Sequence, residues 1–263
     1  MRKTTAGVLA AVLVVLTAVV AEARVRANRD AESVANSFMR KKDLQRPGAD
    51  ADFVILPPQG NPAGYSNRKI AKFPTRGTHF SILSSGNVKA STRKNKSESL
   101  SHDNRGPVLR GTSDAVMMRL KFRVPKGKNC LSFEFKFLSD EFPEYVNSAF
   151  NDAFIAELDK TTWDSSRNNP VIESPRNFAR DSRGNPIRVN TVGNARVKRR
   201  HARGTTYDAA TRTLRAQRPV TRGKHTLFLS IFDQGDRQFD SAVFLDGLKF
   251  RDRSNCRSGV VVP

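Results

Sequence analysis

The chain has 263 residues and a formal net charge of +21 at pH 7, a length that can bury one large all-β domain or two smaller ones. Its only cysteines, Cys130 and Cys256, and its four scattered histidines leave no zinc-type ligand set and no H-E-x-x-H motif. The Arg-rich basic excess reads either as the mark of a GC-rich genome or as a means of pairing with carboxylate or phosphate.

Met1-Arg2-Lys3, the apolar stretch from Ala6 to Val20 and Ala21-Glu22-Ala23 together read as a signal peptide over residues 1–23. The stretch falls short of the roughly 20 residues a spanning helix needs, and no later segment approaches that length. The expectation is a secreted, extracellular protein with no integral membrane segment after cleavage. Residues 24–77 read as a short, partly irregular N-terminal extension. It contains a short helix over 31–39, where Val34, Ala35 and Phe38 recur at helical spacing.

Residues 78–256 read as an all-β domain, an antiparallel β-sandwich of jelly-roll type. Phe80 to Leu83 is a short strand, and the polar stretch from Ser84 to Pro107 reads as a long exposed loop. In 116–124, Val116, Met118, Leu120, Phe122 and Val124 alternate with Met117, Arg119, Lys121 and Arg123. In 131–137, Leu131, Phe133, Phe135 and Phe137 alternate with Ser132, Glu134 and Lys136. Such alternation predicts one buried and one solvated face, with residues 125–129 as a hairpin-like loop between the two strands. Further strands are expected at 153–158, 187–192, 227–232 and 242–250. Between Ser165 and Gly223 lies a strongly basic insertion, and residues 257–263 form a short tail.

In an oxidising compartment Cys130 and Cys256 read as one disulfide tying the C-terminal end to the sheet; two free thiols are the other reading. Between Ser139 and Asp159 the acids Asp140, Glu141, Glu144, Asp152, Glu157 and Asp159 occur without a single Lys or Arg. Calcium takes six to eight oxygen ligands. The candidate set is Asp140, Glu141, Glu144, Asn151 and Asp152, with Asn147 alongside and Pro143 breaking regular structure. Asp233, Asp236, Asp240 and Asp246 form a second oxygen-rich cluster. Strict alternation puts Asp246 on a face with Phe244, Leu248 and Phe250, unless a bulge at Gly247 turns it outward. The expectation is that Asp246 faces the acidic turn and shares its ion. The competing reading is a turn whose acids cap backbone amides and pair with arginines.

The run Phe133-Glu134-Phe135-Lys136-Phe137-Leu138-Ser139-Asp140-Glu141-Phe142-Pro143-Glu144-Tyr145-Val146, followed by Phe150-Asn151-Asp152, resembles the signature of the choice-of-anchor L domain. Weaker echoes are Ile82 to Val88, and Val243 to Asp246 with Phe250, so the resemblance covers about Thr78 to Arg253. It implies a secreted bacterial β-rich module, usually held at a cell surface by a variable C-terminal anchor, with no assigned reaction. The ending Arg257 to Pro263 carries no sorting motif or hydrophobic tail, so a freely secreted protein is expected.

Three functional readings follow. The favoured one is a non-catalytic extracellular binding or adhesion module, stabilised by calcium. A second is a hydrolase of extracellular or envelope polysaccharide using turn carboxylates such as Glu141 and Glu144. A third is polyanion binding through Arg196, Lys198, Arg199, Arg200 and Arg203. Its partner would be an extracellular or cell-envelope polymer, carbohydrate or polyanion, rather than nucleic acid. The aromatic interleaving of a single-strand binder is missing there. The competing reading is a solvated insertion. Phe142, Tyr145 and Trp163, in loop-like sequence, are candidates for ligand contact, while Phe133, Phe135 and Phe137 read as core.

Overall fold

The computed structural model describes residues 25–39, 49–92, 100–166 and 171–263. The expected signal peptide, 1–23, lies outside them. The strands are β1 (Val25–Ala27), β2 (Asp50–Ile55), β3 (Ala63–Ser66), β4 (Phe80–Ser84), β5 (Thr112–Val124), β6 (Cys130–Ser139) and β7 (Ala153–Leu158). They continue with β8 (Ile187–Arg188), β9 (Ala209–Ala210), β10 (Leu214–Pro219), β11 (Gly223–Gln234), β12 (Ser241–Arg251) and β13 (Gly259–Val261). One sheet runs β1-β3-β4-β12-β6-β10-β13 with β9 also on β6; the other runs β2-β5-β11-β7-β8. All pairings between these strands are antiparallel. The fold is a β-sandwich.

Its core lies between the sheets, where Phe133, Phe135 and Phe137 of β6 meet Met118, Leu120 and Phe122 of β5 and Leu229 and Ile231 of β11. The alternation seen in sequence is therefore the inward face of each sheet. A helix, α1 (Ala31–Phe38), packs on this core through Val34, Ala35 and Phe38. Asp30 caps it by accepting the Ser33 amide at 2.9 Å. Met39 leaves the helix in extended backbone and donates its amide to Ala35 O.

Five expectations about the architecture need correction. Residues 125–129 are not a hairpin: β5 pairs with β2 and β11, while β6 pairs with β10 and β12, so the loop crosses between sheets. Facing strands of a sandwich and neighbours in a hairpin have the same alternation, so sequence does not separate them. Second, the polar face of β6 is not solvated. Ser132, Glu134 and Lys136 are buried because a second apolar layer covers the outer side of the sheet. In that layer Ile70, Phe73, Leu100 and Tyr207 pack on Phe80, Ile82 and Phe244.

Third, the extension is built into the domain: β2 flanks β5, and β1 and β3 extend the sheet containing β4. The tail joins likewise, as β13 on β10. Fourth, the described parts of 84–107 are largely folded against the body, with Ser84, Ser85, Ser91 and Asn104 buried. Fifth, where a strand was expected over 187–192, only Ile187–Arg188 pairs.

Burial of Lys136 has a measurable consequence. Its ammonium donates to Ala71 O (2.6 Å) and His201 O (3.1 Å), fastening two loops to the sheet. Burial, and then the Lys72 charge, pushes its pKa down to about 8. The folded state releases this proton before the unfolded state does. Stability contributed here is thus reduced below pH 8 and recovers as pH rises toward about 10.5, by at most about 3 kcal/mol. Urea unfolding of wild type minus Lys136→Met is expected to show that rise between pH 8 and 10.5. A flat difference would mean the amine is solvated.

Candidate functional site

The two acid clusters of the sequence converge at one end of the sandwich. Three transitions meet there: β6 leaves for the acidic turn, the turn enters β7 in the other sheet, and β11 hands the chain back to β12. Register fixes their proximity, with Ser139 opposite Ser241 and Phe232 opposite Ala153. Asp140, Glu141 and Asp152 thereby join Asp233 and Asp240, and all five are buried.

Most of these acids hold backbone. Ser139 Oγ accepts the Glu141 amide at 3.0 Å, and Glu141 Oε2 accepts the Asp152 amide at 3.1 Å. Asp140 accepts the Leu100 amide. Asp240 accepts the His102 amide at 3.0 Å and meets His102 Nδ1 at 2.8 Å. Asp114 at the start of β5 accepts Gly106 N at 2.7 Å and Asn104 N at 3.3 Å. Gly86 lies so close to Asp240 that an added Cβ would sit 1.8 Å from its Oδ2. Burial pushes the Asp140 carboxyl up to about 7. It pushes Asp152 and Asp233 up as well, reinforced by the neighbouring charges of Glu141 and Asp240 respectively. Glu141 is raised in the same way, by burial and then by Asp236.

The remaining expected ligands go elsewhere. Glu144 is exposed. Asn151 accepts from Asn190 at 2.6 Å and donates to Ser148 O at 2.7 Å. Asp246 does not face the turn: it is opposite Glu134, five positions along β12 from Ser241, or about 16 Å at strand rise. Gly247 (φ +67°) hosts the bulge, shifting the register between Asp246 and Lys249 and returning Leu248 to the core. Asp246 stays on the outer face with Glu134, raised to about 6 by burial, with the Glu134 charge adding to the rise. Trp163 is also misassigned by sequence. It is 1% exposed and stacks on Phe232 at 4.5 Å, under Arg110.

Above the buried acids the outer part of the turn forms one wall of a cleft of about 680 Å³. Phe142, Pro143, Val146 and Asn147 face residues 189–192 and Arg196, Val197, Lys198 and Arg199. Asn190 latches the walls, its Oδ1 accepting the Asn147 amide at 2.6 Å and its Nδ2 donating to Asn151. The basic segment is ordered here because Ala195, Val197 and Ala202 are buried while Arg196, Lys198, Arg199, Arg200 and Arg203 stay exposed. Arg200 and Arg203 do not line the cleft, and neither Glu141 nor Glu144 does. Tyr145 packs on Phe150 and Phe239 instead. Cys130 and Cys256 are joined as a disulfide, as expected.

The profile of the choice-of-anchor L domain matches residues 48–251. The chain belongs to this family. Comparison with curated proteins found no match. A choice-of-anchor L domain is a secreted or cell-surface-associated module, and in this one no helix among the described residues is long and apolar enough to cross a membrane. The family-like turn now has a physical reading. Ser139, Asp140 and Glu141 tie backbone across the sandwich end, leaving Phe142 to Asn147 to project as the cleft wall. His102, Asn104, Ser85 and Ser241, and the 189–192 wall, were missed from sequence. Nothing in their local pattern marks a site, the 189–192 wall reading only as part of an expected strand, and tertiary contact alone brings them together.

Proposed function

We propose that this choice-of-anchor L domain is a secreted, non-catalytic binding module whose ligand is an anionic extracellular polymer, an acidic polysaccharide of the envelope or matrix. The observation that carries this reading is the cleft between the turn and the basic segment. Its apolar floor (Phe142, Val146, Val189, Val197) suits the flat face of a sugar ring, and its Arg196, Lys198 and Arg199 rim suits carboxylate or sulfate groups. No carboxylate lines it. Among the described residues no acid forms an ion pair with those three cations, although Asp208 lies close enough to Arg199 to feel its charge.

Calorimetric titration with a polyuronate, beside a neutral glucan of similar length, tests this. The polyuronate is expected to bind and to weaken as salt rises, and the neutral glucan not to bind. The Arg196→Ala, Lys198→Ala, Arg199→Ala triple variant should lose at least about tenfold in affinity, three contacts each worth about 0.5–1 kcal/mol. Equal affinity of the triple variant, or equal binding of both polymers, removes the proposal.

A further inference from the structure

Two buried carboxylates behind the acidic turn keep three oxygens that no donor reaches. Asp152 and Asp233 are both fully buried and are neighbours where β7 begins and β11 ends. Asp152 Oδ1 accepts the Gln234 amide at 3.2 Å. Asp152 Oδ2 and both oxygens of Asp233 have no donor in hydrogen-bond geometry, and the Ser241 hydroxyl, close enough to Asp152 to affect it, is not aligned to any partner either. Ser85, the hydroxyl beside Asp233, is committed to the Ser241 backbone, accepting its amide at 3.0 Å and donating to its carbonyl at 3.3 Å. Among the described residues no Lys or Arg forms an ion pair with Asp152, Asp233 or Glu141, in a chain of net charge +21.

Adjacent carboxylates in a low-dielectric interior repel one another and persist only with a positive charge or a proton between them. A single shared proton joins one oxygen of each carboxylate, and the Ser241 hydroxyl can turn its hydrogen toward Asp152. The second Asp233 oxygen is still left without a donor. A hard divalent cation takes oxygen donors of all these kinds at once. We propose that Asp152 and Asp233, with the Ser241 hydroxyl, hold a divalent cation of the calcium class that locks the sheet-to-sheet crossings at this end of the sandwich. No three His, Cys, Asp or Glu side chains among the described residues form a metal-holding group, so these two carboxylates supply the charge and water completes the shell. Asp140 and Asp240 are engaged with Leu100 and His102 and stay outside it, as do Glu144, Asn151 and Asp246. With two carboxylates, the affinity falls in the range of extracellular modules, Kd about 0.1–1 mM.

The test uses the full chain stripped with chelator, at neutral pH and without any glycan, so its result is independent of the cleft reading. Calcium chloride at about 100-fold over Kd should raise Tm by about 5–10 °C, and calorimetric titration should give one calcium per chain. Asp233→Asn, which keeps shape and removes charge, should abolish both signals, while Asp246→Asn keeps them. If Asp233→Asn does not fold, the wild-type titration decides. Neither heat nor a Tm shift in the wild type overturns the proposal. A shift retained in Asp233→Asn, or lost in Asp246→Asn, places the ion elsewhere and also overturns it. So does a Tm that rises on acidification in chelator with no calcium response, the behaviour of a shared proton.

Discussion

Reducing the Cys130–Cys256 bond is expected to lower the free energy of unfolding by up to about 5 kcal/mol. The bridged residues are 126 positions apart, and closing a loop of that length removes roughly this much entropy from the unfolded chain. In the native state the bond joins the start of β6 to the segment just after β12, whose Arg251 pairs with Cys130 itself. Non-covalent ties lie beside it. Asn129 exchanges hydrogen bonds with Arg253 at 2.9 and 3.1 Å, and Arg253 reaches Gln217 of β10 at 3.1 Å. These hold the native end in place after reduction, so the loss is entropic in origin rather than a collapse of β13. Urea unfolding with and without a phosphine reductant measures it. A loss below about 1 kcal/mol would show that the unfolded chain is already compact between the two cysteines.

Phe133→Ala is the second large effect, with an expected cost of about 3–5 kcal/mol. The ring is fully buried on the inner face of β6. It meets Phe38 of α1 at 5.4 Å, Phe135 at 5.9 Å, Phe178 at 5.9 Å and Phe154 of β7 at 6.4 Å, three of these edge-on. One truncation therefore empties the junction of the helix, both sheets and the first part of the basic insertion. Edge-on aromatic pairs add about 0.5–1.5 kcal/mol each beyond area burial, though pairs sharing one ring do not add fully. The denaturant midpoint should fall while the slope stays constant. For comparison, Phe142→Ala on the half-buried cleft wall should cost far less. Equal costs would contradict the placement of Phe133 at the centre of the core.

Much of the sandwich was legible in the sequence. Alternation marked β5 and β6, strands were expected within β11 and β12, and Phe133, Phe135 and Phe137 read as core because period two is a direct consequence of strand geometry. Helical spacing marked α1 in the same way. Leu214–Pro219 was not legible as β10. Its inward residues are only Leu214 and Ala216, and Arg215, Gln217 and Arg218 dilute the pattern, yet β10 sits between β6 and β13. Trp163 was misread because its loop carries no period, and its burial depends on Phe232 and Arg110 from distant parts of the chain.

The site divides along the same line. By itself the sequence determined that the residues from Ser139 to Asp152 form an acid-rich, Pro-broken turn of the choice-of-anchor L type, and that a basic segment follows. Those are properties of local composition and spacing. Only the tertiary structure decided which acids meet, because β6, β7, β11 and β12 exchange sheets at one end and bring together residues 82 to 138 positions apart. It joined Asp152 to Asp233, left Asp246 on the outer face beside Glu134 while one bulge after it turned Leu248 into the core, and laid Arg196, Lys198 and Arg199 across from Phe142. Alternation fixes the face a side chain takes, not the partner strand, and partner choice is where this site is made.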